Sequence, residues 1–289
     1  MPARTGLAVL LALAAWLAPA QAQAQDGPAV VSIRDGARRP LDSRPSERAV
    51  VTFRDILREL YPDLGPDGRA SRTLGARAVP DAVAGEDTPP GPAEIDLADG
   101  EPASWAMISE GERDHVAILV AGALVMAQVA PEYRPAGALL VQTDRGGPPS
   151  IAQMVLLGEG RAAVAVMNGH QDGAESFAQY LIATPVEDRL QQVFQGPTLY
   201  SVQRDARGCE PWRLEERMTS LTTREPSREG YAELVMAVRE ARICTQRGRP
   251  RTLNALIHYG RLRWDPAQAR YLGGLDALDR RNQRLMGGG

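Results

Sequence analysis

Lysine is missing from this sequence: all 33 of its basic residues are arginine. Chemistry that needs an ammonium nucleophile or a Schiff base is excluded. So is a P-loop, whose Gly-Lys-Ser/Thr ending places a lysine on the phosphates. Arginine is the better bidentate partner for carboxylate and phosphate. Alongside abundant Ala, Gly and Pro, however, the bias reads as codon usage in a GC-rich bacterial genome, with its charges spread over a solvated surface. Aromatic residues make up only 5% of the chain. That is too few for a platform of stacked rings that would grip sugars or single-stranded nucleic acid. The formal net charge is −3, and nucleic-acid binding wants a basic face that releases counterions, so no nucleic-acid partner is expected.

Other absences narrow the chemistry further. No Gly-x-Gly-x-x-Gly fingerprint follows an expected strand, so no dinucleotide cofactor is expected. The turn at residues 63–68 lacks the alternating acids and closing Glu of a calcium loop. The three histidines, His115, His170 and His258, have no paired spacing, and no metal site is expected. Cysteine occurs twice, as Cys209 and Cys244.

What is present begins with the first 24 residues. Arg4 precedes an uncharged apolar run at 7–17, Pro19 breaks it, and Ala20, Ala22 and Ala24 offer small-x-small cleavage sites. This order predicts a secretory signal peptide, with a hydrophobic segment too short to anchor in a bilayer. The most apolar later run, 116–127, is 12 residues long and contains Gly122. It is short of the ~20 residues a span needs, so no membrane span is expected after cleavage. The expected location is periplasmic or secreted. In an oxidising compartment an even pair of cysteines predicts a Cys209–Cys244 disulfide, which would stabilise the fold by roughly 3.5–4 kcal/mol through loop-closure entropy.

Residues 25–105 hold ten of the 22 prolines and little apolar periodicity, which predicts a loosely ordered N-terminal segment. Its one clear element is a helix over 53–60, with Phe53, Ile56, Leu57 and Leu60 on one face, Thr52 as N-cap and Pro62 as its stop. From 106 to 274 short β-rich runs alternate with Gly, Pro and Asp turns. Residues 151–157 and 161–167 around Gly158 and Gly160 form the strongest hairpin signal. Residues 231–239 alternate as a half-buried strand, although a helix would also suit their composition. Leu275, Leu278, Asn282 and Leu285 line one face of a terminal helix within 275–289, ahead of a glycine tail. The fold class expected is mainly β: an antiparallel sandwich, barrel or propeller-like meander with one or two short helices.

The polar run at 168–176 reads as a loop between strands. His170, Asp172, Glu175 and Ser176 are its candidate catalytic or metal-binding residues, because imidazole beside carboxylate suits a metal and His170 could activate Ser176. No Gly-x-Ser-x-Gly elbow surrounds Ser176, and turn residues alone explain the composition. The expected function is therefore a non-catalytic envelope module that binds a protein, a polymer or a small ligand. The alternative is a secreted hydrolase built on the 170–176 loop.

Overall fold

The computed structural model describes residues 30–33, 41–71, 78–79, 94–97, 103–120, 122–141, 149–187, 189–206 and 208–287. The predicted leader at 1–24 and the Pro-rich stretch around 80–93 lie outside the described residues.

The elements in chain order are β1 (Val30–Ile33), α1 (Phe53–Leu57), β2 (Arg69–Ser71), β3 (Ala78–Val79), β4 (Glu94–Asp96), β5 (Ala103–Glu110), β6 (Arg113–Val120), β7 (Ala123–Ala130) and β8 (Arg134–Leu140). They are followed by β9 (Ser150–Gly158), β10 (Arg161–Asp172), β11 (Glu175–Val186), β12 (Arg189–Ala206), β13 (Cys209–Arg228), β14 (Tyr231–Gln246), β15 (Arg249–Asp265), β16 (Arg270–Gly274) and α2 (Asp276–Gly287). Two antiparallel meanders dominate. β5 to β8 form the first, with β1 added beside β5 and β3 lying parallel to β8. β9 to β16 form the second in strict sequence order. The fold is thus mainly β and antiparallel, as its alternating runs demand. The second sheet curls without closing into a barrel.

Turn chemistry sets the meander. Arg247 and Gly248 both take positive φ, 50° and 74°, which matches the twist that a two-residue hairpin turn requires. The ambiguous run at 231–239 is strand: each residue from 233 to 244 has a ladder partner on β13, which itself bulges between Met218 and Ser220. Alternating buried positions along β14 pack inward against the curl, so tertiary burial overrides helix propensity there.

Three apolar layers result. Ile108, Leu119, Leu124 and Leu139 of the first sheet meet Met154, Val164, Leu181 and Leu190 of the second. The opposite face of the first sheet is covered by the α1 segment, whose Phe53, Ile56, Leu57, Leu60, Tyr61 and Leu64 are buried. Thr52 caps α1 in a reciprocal box with Asp55, and the ring of Phe53 meets Trp105 edge-on at 5.3 Å. A loosely ordered segment was expected here. Residues 41–71 are instead a packed layer, because a five-residue helix and its flanking turns carry enough apolar side chains to cover a sheet face. The third layer fills the inside of the curl, with Tyr180, Ile182, Phe194, Met236, Leu262 and Trp264.

The first edge of the curled sheet meets β13 and β14 through side chains. The Gln153 amide donates to the Leu221 carbonyl at 2.7 Å and accepts from the Leu221 N–H at 3.1 Å. A Cβ on Gly158 would lie 2.3 Å from the Gly230 carbonyl oxygen, so only glycine permits that approach.

Candidate functional site

The stretch read as a loop at 168–176 is a hairpin. β10 runs to Asp172, β11 restarts at Glu175, and only Gly173 and Ala174 turn. Gly173 at φ 58° allows so tight a reversal that the ladder continues to the tip. Its register opposes His170 to Phe177, Gln171 to Ser176 and Asp172 to Glu175. Successive strand residues alternate in face, so His170 and Ser176 emerge on opposite sides of the sheet. A histidine so placed cannot take the proton of that hydroxyl. His170 stacks instead on Phe177, with ring centres 6.1 Å apart, and Phe177 stacks on Tyr200 at 5.5 Å. Glu175 bonds Arg204 at 3.3 Å. The shallow concavity beside them, about 620 Å³, has Ser176, Ser201, Arg204 and Arg213 on its rim.

The other histidines stand on separate strands. His115 is buried on β6, and burial pushes its pKa below the ordinary value, which keeps it neutral at pH 7. His258 on β15 bonds the Glu240 carboxylate at 2.9 Å. Among the described residues no group of three or more His, Cys, Asp or Glu is placed to hold a metal ion. Cys209 and Cys244 are joined, with Cα atoms 5.0 Å apart, and the bond ties the start of β13 to the far end of β14.

A charged cluster missed in the sequence lies where α2 crosses the sheet. Glu216 on β13 directly opposes Glu240 on β14, and both are 5% exposed. Arg281 of α2 reaches each of them, Glu240 at 2.7 Å and Glu216 more closely still. Glu216 also accepts from the Tyr200 N–H at 3.1 Å and from the Asn282 amide. Asp279 and Asn282 complete the dock by pairing the N–H and C=O of Thr198, at 2.7 and 2.9 Å. Burial pushes the Glu216 carboxyl up, although its hydrogen bonds and Arg281 oppose the shift. Burial acts the same way on Glu240, but there Arg281 and His258 win and the pKa falls. Every carboxylate in the cluster is engaged in holding α2 to the sheet, so the cluster acts as a helix clamp.

The exposed feature is the arm made by β14 and β15. Residues 249–257 are exposed at every position, and Leu253, Leu256, Ile257 and Tyr259 are 52%, 49%, 54% and 69% exposed. Residues 241–264 contain six arginines and no acid. Arg261 and Arg263 pair with Glu233, whereas Arg242, Arg247, Arg249 and Arg251 have no ion pair among the described residues. The signal was legible as an acid-free run in an acidic chain, but only the ladder shows that it lies on a sheet edge.

Compared with known proteins, the chain matches no family model, no curated protein and no solved structure. Among the described residues no helix is long and apolar enough to cross a membrane.

Proposed function

We propose that the protein is an exported bacterial envelope protein with a non-catalytic binding role, and that its contact surface is the β14–β15 arm. The observation that carries this reading is the exposure of four large apolar side chains, Leu253, Leu256, Ile257 and Tyr259, on one short length of strand. Clustered exposed apolar residues rimmed by polar groups mark interaction sites. Export is supported by the Arg4, apolar-run and Ala-x-Ala order, and a Cys209–Cys244 disulfide is compatible with it. Against the hydrolase alternative stands the register, which sets His170 and Ser176 on opposite faces of the sheet.

Two measurements test this. N-terminal sequencing of protein recovered from the envelope should find a mature chain starting close to Gln23 or Gln25, and an intact Met1 would overturn export. Complementation of a gene-deletion strain should fail with the double variant Ile257→Glu, Tyr259→Glu despite normal folding and abundance. Full rescue by that variant would remove the arm from the function.

A further inference from the structure

The geometry points to a specific kind of occupant: we propose that the free edge of β15 takes up an extended, acidic segment of a partner protein as an added strand. The inference rests on the arm being a binding surface and supplies the chemistry of its partner.

The ladder defines the docking line. β14 pairs with β15 from Leu234 to Gln246, so one side of β15 is fully used. On the other side, among the described residues, the one partner is β16, which pairs with residues 261–265. Along 249–260 every second residue therefore turns its N–H and C=O away from the sheet. Pro250 removes a donor at the tip, and Leu253 is the extra residue of a bulge between Thr252 and Asn254. Both devices discourage pairing. What remains is 254–260, the length of an ordinary strand, and it carries Leu256, Ile257 and Tyr259.

Charge selects among possible occupants. A second copy of this chain would bring the same acid-free run alongside, setting arginine against arginine. An anionic membrane would match the charge but not the shape. Leu256 and Ile257 are consecutive, so they point to opposite faces, and a strand lying on lipid can bury only one face. An incoming strand touches both faces and also uses the free backbone groups. Its side chains would be apolar at the level of Ile257 and Tyr259. They would be acidic towards the ends, where Arg249 and Arg251 stand on one side and Arg261 on the other.

The probe is a labelled nine-residue peptide with valine and threonine at its centre and glutamate at both ends, titrated into the full mature protein. Fluorescence anisotropy should show saturable binding, and the amides of 254–260 should gain protection from hydrogen exchange. Methylating alternate peptide nitrogens, or replacing glutamate by lysine, should weaken binding about tenfold or more, as should the Ile257→Glu, Tyr259→Glu variant. If that variant does not fold, Arg249→Glu with Arg251→Glu keeps the test open, because it should favour the lysine peptide instead. Absence of saturable binding, equal binding of the N-methylated peptide, or equally effective competition by phosphatidylglycerol vesicles would overturn the proposal. Failure of the peptide while the Ile257→Glu, Tyr259→Glu variant still loses complementation would retain the arm and reject the acidic strand. Full complementation by that variant would reject the arm itself.

Discussion

Glu216 and Glu240 face each other across neighbouring strands, and a single guanidinium, that of Arg281, bridges both. Two carboxylates this close and this buried would repel without it. The terminal helix therefore does electrostatic work for the sheet as well as covering its apolar interior with Leu275 and Leu278.

Replacing Arg281 by Met should cost about 3 kcal/mol at pH 7, because it leaves uncompensated buried charge. The loss should shrink towards pH 5. Glu216 already has a raised pKa through burial, and a group of that kind favours folding most when protonated and loses that contribution as pH rises through its folded pKa. Urea denaturation at the two pH values tests this. An equal loss at both would mean that packing, and not charge, is responsible.

Asp114 should set the acid limit of the fold. It is fully buried and accepts from Ser109 and Ser46 at 2.7 Å each, with Arg48 beside it. Burial alone would raise its pKa, but those hydroxyls and the guanidinium together pull it below the usual carboxylate value. Its contribution is then present above the unfolded pKa of about 3.9 and is lost as pH falls through the folded value. Asp114→Asn should cost about 2 kcal/mol at pH 7 and flatten the decline of the melting temperature below pH 4.

Non-reducing peptide mapping should recover Cys209 and Cys244 in one linked pair, and reduction should lower the melting temperature. The bond spans 35 residues of sequence, for which the loop-closure model gives about 3.8 kcal/mol. Hydrogen exchange should rise first at residues 209–212 and 242–251, where the bond pins the arm. Free alkylation of both thiols in the native protein would contradict the pairing.

His170→Ala and Ser176→Ala should each complement the deletion strain almost fully. Loss of a true nucleophile or base costs orders of magnitude in rate, and a register that separates the two side chains leaves no such pair to lose. Failure of both well-folded variants would restore the hydrolase reading.

Much of the β architecture was legible because each strand is written locally. Gly158 and Gly160 announced the β9–β10 hairpin, Thr52 the start of α1, and Leu275, Leu278 and Asn282 the buried side of the terminal helix, whereas Leu285, expected on that same face, is 45% exposed. The hairpin at 170–176 was misread as a longer loop, since polar residues can continue a ladder when the turn takes two residues. The Glu216–Glu240–Arg281 clamp left no local pattern. Its members come from three elements, and the helix reaches Glu216 across 65 residues of sequence. The arm lay between these cases: its composition was visible, but its exposure depends on how short β16 is.

Gln153 gives the curled sheet a property that a continuous ladder would not. One amide meets both backbone groups of Leu221 on β13, and Arg161 donates to the Glu229 carbonyl further along, so the circumference is fastened by side chains, like a collar held by buttons. Releasing the Gln153 fastening, as in Gln153→Leu, would strand the N–H and C=O of Leu221 and let the collar widen while every hairpin stays intact.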